Sequence, residues 1–120
     1  MTYSLFDLTG RVALVSGAAR GLGRSMAIAF AEAGADLLLT DLNAEGVQAT
    51  AQHIRSLGRR AVPTTYDVTD IDQIREMFAL LDREFGRIDV LGNVFGPGYL
   101  AHPEDVPGRL ATARAFWLNR

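Results

Sequence analysis

The sequence predicts a doubly wound α/β fold, in which helices cover both faces of a parallel β-sheet. Two observations lead to this prediction. Short apolar runs alternate with longer segments whose apolar residues recur at helical spacing, and glycines stand where one element should end and the next begin. Strands joined by helices of this length require right-handed crossovers, so about four parallel strands are expected in the order 3-2-1-4, an incomplete doubly wound sheet.

The first strand and the first helix are predicted between residues 11 and 34. Residues 12–15 are a short apolar run, typical of a strand that is buried on both faces. Residues 22–33 then carry apolar side chains at helical spacing. Gly34 follows them, where a left-handed C-terminal cap is expected.

A second strand and helix follow. Residues 37–40 are another apolar run, and the next helix is expected to begin after Asn43 and to end at Gly58. Residues 61–66 predict a weaker third strand that contains Pro63. Because proline cannot donate a ladder hydrogen bond, this strand should lie at an edge of the sheet.

The third helix has the clearest pattern of the three. Asp70 and Gln73 have the spacing of a capping box, and a wide apolar stripe then continues to Gly86. Residues 88–91 begin a fourth strand, in which Gly92 offers no side chain for packing.

The alternation of strands and helices fades after the fourth strand. Residues 97–108 are rich in proline and glycine and predict a loop. We expect a single domain over residues 1–120, with an atypical tail at residues 107–120 that holds arginines but no acidic residue.

Composition excludes several classes of function. A net charge of -2 gives no general attraction to nucleic acids or anionic membranes, so neither is expected as a partner. The chain has no cysteine, which excludes disulfides and thiolate catalysis and is typical of the cytoplasm. No apolar run approaches the roughly 18 residues of a membrane span. His53 and His102 have no partners at the spacing of a triad or a metal site, so no metal is expected.

A glycine-rich segment connects the first strand to the first helix. Ser16 leads into it, and Gly17, Gly21 and Gly23 follow with the spacing G-x-x-x-G-x-G. Glycines at this place permit a tight turn and bring backbone amides against a diphosphate, which the helix N-terminus then faces. The alternative is that the glycines only shape the turn; the flanking strand and helix favour the diphosphate site.

On this motif the sequence resembles the short-chain dehydrogenase/reductase family, whose glycines have the same spacing after a Thr or Ser. The resemblance implies a Rossmann-type fold and hydride transfer between a nicotinamide dinucleotide and a small alcohol or carbonyl substrate. It also implies that Ser16, Arg20 and Leu22 join the three glycines in holding the cofactor. The opening residues look most like the sugar-acid dehydrogenase and 3-oxoacyl reductase branches. A full-length member is expected to form homo-oligomers.

Asp41 is the residue expected to select between NAD and NADP. It ends the second strand, 18 residues after Gly23, which is close to the spacing of about 20 residues between the glycine motif and the acidic residue that meets the adenosine ribose. A charged hydrogen bond there is worth roughly 1.5–3 kcal/mol, and a 2′-phosphate would meet a like charge. In the family Arg20 would favour NADP, but an exposed ion pair is worth only roughly 0–1 kcal/mol. The sequence therefore favours NAD; the alternative is that Asp41 only caps the approach to the second helix.

Two further segments resemble cofactor contacts of the family. Asp67 and Val68 follow the third strand, where the family has a carboxylate and a backbone amide against adenine, although Asp67 could instead be a turn residue. Asn93 and Gly96 match the first and last residues of the family's Asn-Asn-Ala-Gly motif, whereas the two residues between them do not.

The family's catalytic residues are missing from these 120 residues. The family uses a Tyr activated by a Lys four positions later, together with a Ser, and this chain contains no lysine. Tyr3, Tyr66 and Tyr99 consequently lack such a partner. Asn119 stands near the place of the family's fourth-helix Asn, although it could equally belong to an unrelated tail.

We therefore expect the chain to be the cofactor-binding N-terminal part of a longer, NAD-dependent short-chain dehydrogenase, inactive by itself. The resemblance fades after about residue 106, which favours a truncated form of the family. Two alternatives stay open at this point. One is a dinucleotide-binding module without catalysis, and the other is a non-functional truncated product.

Overall fold

The computed structural model describes residues 6–94, in which three helices cover the two faces of one four-stranded parallel sheet. The strand order is β3-β2-β1-β4, so the predicted fold class and strand order are confirmed. The elements in chain order are β1 (Val12–Ser16), α1 (Gly21–Glu32), β2 (Asp36–Thr40), α2 (Ala44–Ser56), β3 (Ala61–Thr64), α3 (Ile71–Phe85) and β4 (Val90–Asn93).

The sheet has an apolar core on each face. Ala13 and Val15 of β1 belong to a cluster with side chains of α1 and α2. Val12 and Leu14, which alternate with them, belong to a second cluster with side chains of α3. All of β1 is buried, which explains why its sequence is a continuous apolar run and not an alternating one.

The carboxyl ends of the strands align in one row of polar residues. Ser16 pairs with Thr40 of β2 on one side and with Asn93 of β4 on the other. Thr40 in turn pairs with Thr64 at the end of β3. In doubly wound folds, ligands bind in the crevice outside these carboxyl ends.

The helix caps follow the sequence pattern, with one difference. Asn43 accepts a hydrogen bond from the Gly46 amide (3.0 Å), as expected of an N-cap. Asp70 accepts from the amides of Asp72 (2.9 Å) and Gln73 (3.4 Å). The Gln73 side chain, however, donates to the Asp70 carboxylate and accepts from the Asp67 amide, so the box is not closed through the Asp70 backbone. The Gln73 side chain is the main cause of the lowered pKa of Asp70.

Glycines end the helices as predicted. Gly34, Gly58 and Gly86 all have positive φ, at 109°, 85° and 73°. Pro63 lies in β3, which is an edge strand, and β3 ends at Thr64, two residues earlier than expected.

Gly92 has a packing role that the sequence did not reveal. It is buried in β4, and a Cβ atom built there would lie 2.7 Å from the Met26 Cε atom of α1. The missing side chain thus lets α1 close onto β4. The strand itself runs from Val90 to Asn93, two residues beyond the start that the sequence predicts.

An ion cluster closes the opposite end of β4. Both oxygens of Asp89 bind the Arg87 guanidinium, at 2.7 and 2.8 Å, and one of them also accepts from the Val12 amide at 2.9 Å. These contacts, that with Arg87 above all, lower the pKa of Asp89.

Among the helices of residues 6–94, none has the length and apolar character needed to cross a membrane. The predicted loop at residues 97–108 and the tail at residues 107–120 lie outside the described residues.

Candidate functional site

The glycine-rich loop between β1 and α1 makes a tight turn against the end of β4. Gly17 has φ 71°, in the left-handed region that favours glycine. A Cβ atom built on it would lie 2.4 Å from the Val94 carbonyl oxygen, which a side chain could not tolerate. Gly17 is therefore required both by its backbone conformation and by its neighbour.

Gly23 brings the first turn of α1 against the same loop. A Cβ atom at this position would lie 1.9 Å from the Gly17 carbonyl oxygen and 3.3 Å from the Ala18 nitrogen. The helix and the loop are in backbone contact, and any side chain on Gly23 would separate them.

The carboxyl end of β2 holds three consecutive amides of the loop. The Thr40 carbonyl accepts from the amides of Gly17 (2.9 Å) and Ala18 (3.3 Å), and the Asp41 carboxylate accepts from the Ala19 amide (3.0 Å). These amides are already paired. The amides of residues 17–19 are therefore not available to a diphosphate, and the amides that begin α1 are the remaining candidates.

The first turn of α1 is open, unlike those of α2 and α3. Its N-cap residue, Arg20, makes no side-chain cap, and the turn contains no acidic residue. The amides of Gly21, Leu22 and Gly23 have no acceptor among residues 6–94. Apart from its chain neighbours and the backbone of its own helix, no atom of the described residues lies within 4 Å of a Cβ built on Gly21, which has φ 58°. Free N–H groups and the positive end of the helix dipole therefore face space that the described residues leave open.

Asp41 joins the loop to the start of α2. One carboxylate oxygen accepts from the Ala19 amide, and the other accepts from the Asn43 amide at 2.9 Å. The second contact is the cap-like role that the sequence left open as an alternative. A carboxylate has about four acceptor sites, so two sites remain for a further donor at this half-buried position.

Leu42, which sequence analysis did not single out, lies next to Asp41 with 69% of its surface exposed. An apolar side chain so exposed at the carboxyl end of a strand offers a face for a flat ring. The sequence feature that could have revealed Leu42 is its place directly after Asp41, the acidic residue that follows β2.

Asp67 is a turn residue in this structure. One carboxylate oxygen accepts from the Thr69 amide (2.8 Å) and from the Thr69 hydroxyl (2.6 Å). The other oxygen has no donor in the described part of the chain. Val68 packs its side chain against the core cluster on the α3 face.

Ser16 and Asn93 connect β1 to β4. The Ser16 hydroxyl, which is fully buried, donates a short hydrogen bond to the Asn93 side-chain oxygen and accepts from the Val94 amide at 3.3 Å. The Asn93 Nδ2 atom is buried and has no partner within residues 6–94. The structure thus brings together two residues that were each predicted to contact the cofactor, and within the described residues the Asn93 Nδ2 donor has no partner.

Two residues that sequence analysis missed support the loop from behind. Thr50 of α2 donates to the Ala18 carbonyl (2.8 Å), and Arg24 of α1 donates to the Thr50 hydroxyl (3.0 Å). The sequence feature that could have revealed Thr50 is a polar residue within the apolar stripe formed by Val47, Ala51 and Ile54.

The remaining predicted residues divide into two groups. Arg20 is exposed at the mouth of the loop, and its side chain has no partner in the described region. Gly96 and Asn119 lie outside the described residues. No cluster of side chains that could hold a metal ion is found within residues 6–94.

Comparison with known proteins adds the family. The sequence model of the short chain dehydrogenase family matches residues 11–107 of this chain. Gluconate 5-dehydrogenase from Gluconobacter oxydans is 38% identical over 77% of this chain and 36% of its own length. D-threitol dehydrogenase from Mycolicibacterium smegmatis is 41% identical over 84% of this chain and 39% of its own length.

Solved structures agree with the sequence comparison. A short-chain type dehydrogenase/reductase from Mycobacterium marinum superposes with a TM-score of 0.75 at 33% identity, over 93% of this chain and 51% of that one. This chain spans about a third of the length of the first curated relatives, 32% and 28%. With its glycine loop, strand order and matched residues, the chain belongs to the short-chain dehydrogenase family of oxidoreductases.

Proposed function

We propose that this chain binds NAD across the carboxyl ends of its strands, as the cofactor-binding part of an oxidoreductase that acts on an alcohol or carbonyl. Members of the family generally bind NAD or NADP. The observation that carries the proposal is the open first turn of α1, in which unpaired amides follow a loop already fixed by β2.

The diphosphate would lie against this first turn. The amides of Gly21 and Leu22 are free to donate, and the helix dipole adds the equivalent of roughly half a positive charge. The open space at Gly21 is the volume that a side chain would otherwise fill. Each hydrogen bond to the charged phosphate is worth about 1.5–3 kcal/mol.

The adenosine half would lie over the end of β2. Asp41 has two acceptor sites left after it binds the Ala19 and Asn43 amides, and ribose hydroxyls are donors. A 2′-phosphate at this place would meet a carboxylate instead, which favours NAD over NADP. Leu42 and the free oxygen of Asp67 are suited to the apolar face and the amino group of adenine.

The nicotinamide half would lie toward β4. Asn93 ends this strand with a buried Nδ2 donor that has no partner in the described part of the chain, and Val94 replaces the second Asn of the family motif. The bound cofactor supplies the hydride chemistry. No lysine occurs in the chain, so it offers no Tyr-x-x-x-Lys pair to move the proton, and we expect these 120 residues to bind without turnover.

Isothermal titration of the 120-residue chain with NAD, NADP and NMN tests the proposal. We expect NAD to bind at least about tenfold more tightly than NADP, since a lost charged hydrogen bond and a like-charge contact act together. NMN, which lacks adenosine, should bind more weakly than either. No heat with NAD at millimolar concentration would overturn the proposal and favour a non-functional product.

A second candidate function is a dinucleotide-binding module that performs no reaction. The absence of lysine from the 120 residues favours it. An assay of NAD reduction in the protein that carries this segment distinguishes the two candidate functions. An oxidoreductase reduces NAD when an alcohol substrate is present, whereas a binding module does not. The substrate, a homo-oligomeric full-length form and the cytoplasmic location that the cysteine-free composition favours all stay predictions.

A further inference from the structure

The N-terminal half of α2 forms a socket for the glycine-rich loop. Ala18 is fully buried and Ala19 is 7% exposed, although both belong to a loop. A Cβ atom built on Gly46 would lie 2.8 Å from the Ala19 side chain, so the missing side chain lets α2 approach the loop. Thr50, one turn further along α2, is also fully buried.

Thr50 makes the polar contact of this socket. Its hydroxyl lies 2.8 Å from the Ala18 carbonyl oxygen and 3.2 Å from the Gly46 carbonyl of its own helix. A helical threonine commonly donates to the carbonyl four residues earlier. Here the shorter contact is with the loop, so the single hydroxyl proton serves Ala18.

Arg24 completes the chain of hydrogen bonds. Its Nη1 atom donates to the Thr50 hydroxyl at 3.0 Å, and a guanidinium can only donate. Thr50 must therefore accept from Arg24 and give its own proton to a carbonyl. Hydrogen bonds in such a chain polarise and strengthen one another.

We infer that Thr50 and Arg24 are positioning residues, which hold the Ala18 carbonyl so that the amides beginning α1 are presented to the dinucleotide. This inference rests on the proposed function. The amides of residues 17–19 are bound by β2 from one side, and Thr50 binds the loop carbonyl from the other. Without the hydroxyl, the loop populates shapes that do not bind, and apparent affinity falls in proportion to the competent fraction.

The test compares Thr50→Val with Thr50→Ser in the full chain, with NAD as the ligand. Valine keeps the shape but leaves the buried Ala18 carbonyl unpaired, and we expect about tenfold weaker binding, equivalent to about 1.4 kcal/mol. Serine keeps the hydroxyl and should bind within about threefold of wild type. The control is Ile54→Val, a buried position in the C-terminal half of α2 without a side-chain hydrogen bond to the loop, which should lower Tm and leave Kd unchanged.

A second measurement needs no cofactor. Amide hydrogen exchange at Ala19, whose N–H binds Asp41, should be about tenfold faster in Thr50→Val than in wild type, and faster also in Arg24→Met. Exchange at Leu14, in the centre of β1, should change much less. If wild type fails to bind NAD while Ala19 exchange still responds, the proposed function is wrong and loop positioning stands. Unchanged Kd and unchanged Ala19 exchange in Thr50→Val would overturn the inference.

Discussion

Replacing Gly23 by alanine should separate α1 from the glycine-rich loop. The new Cβ would lie 1.9 Å from the Gly17 oxygen and 2.6 Å from the Gly17 carbonyl carbon. Carbon–oxygen contacts are comfortable at about 3.3 Å, so one backbone segment must move by more than about an ångström. Both atoms belong to the backbone, so no side chain can turn away to make room.

The stability effect has two opposing parts. Alanine is the better helix former by at most about 1 kcal/mol. Forcing an extra methyl group into a closed contact costs about 1–3 kcal/mol and more when backbone must shift, so destabilisation wins. We expect Tm to fall, by roughly 4 °C for each kcal/mol in a chain of this size. NAD affinity should fall by about tenfold or more, because the displaced turn loses charged hydrogen bonds.

Gly58→Ala provides the matched control. Unlike Gly23, Gly58 has a positive φ, 85°, and apart from its chain neighbours no atom of the described residues lies within 4 Å of its Cβ position. It ends α2 far along the chain from the loop, and a left-handed alanine costs about 1–2 kcal/mol. This variant should therefore lose stability and keep wild-type affinity in calorimetry. A Gly23→Ala protein with the Tm and the NAD affinity of wild type would refute the reasoning.

Three further perturbations follow from the same contacts. Asp41→Ala should weaken NAD binding by about 10- to 100-fold and narrow the difference from NADP in titrations, whereas an unchanged ratio would contradict its role. Because the pKa of Asp89 in the folded protein lies below its ordinary value of 3.8, the ionised carboxylate stabilises the fold above that pH, and this contribution is lost as the pH falls through the folded pKa. Asp89→Asn should therefore make the free energy of unfolding, measured by urea melts, depend less on pH in the acid range. Gly92→Val should lower the free energy of unfolding, and adding Met26→Ala should restore about 0.5 kcal/mol or more of it, because the smaller side chain makes room for valine. Additive effects of the two substitutions would contradict this contact.

The sheet and its helices could be predicted because their signals are local. A strand buried on both faces requires a continuous apolar run, and residues 12–15 and 37–40 have one. Helix ends need particular residues, and Asn43 and Gly86 occupy those positions. Pro63 predicted an edge strand from the absence of one N–H group, which is a property of the residue itself.

The fine structure of the site depends on contacts between distant residues, which no local pattern encodes. Asp41 is predicted to select the cofactor, and the structure shows a contact that the sequence did not predict, with the Ala19 amide 22 residues earlier in the chain. Thr50 reads as an ordinary helical residue until α2 is placed against the loop. Gly92 read as a gap in packing, whereas Met26 from α1 occupies the space beside it.

Some amides of the glycine-rich loop are hydrogen-bonded within the protein and others are free, and this difference explains why the glycine motif depends on neighbouring elements. A loop with every N–H free would have many conformations, and binding would have to order it at the expense of affinity. Here Thr40 and Asp41 bind the amides of residues 17–19, and this fixes where α1 begins. Within residues 6–94 the amides of Gly21 and Leu22 stay free, because the N-cap residue, Arg20, makes no side-chain cap. In the proposed site, affinity for a diphosphate would thus depend on β2 and α2 as well as on the glycines.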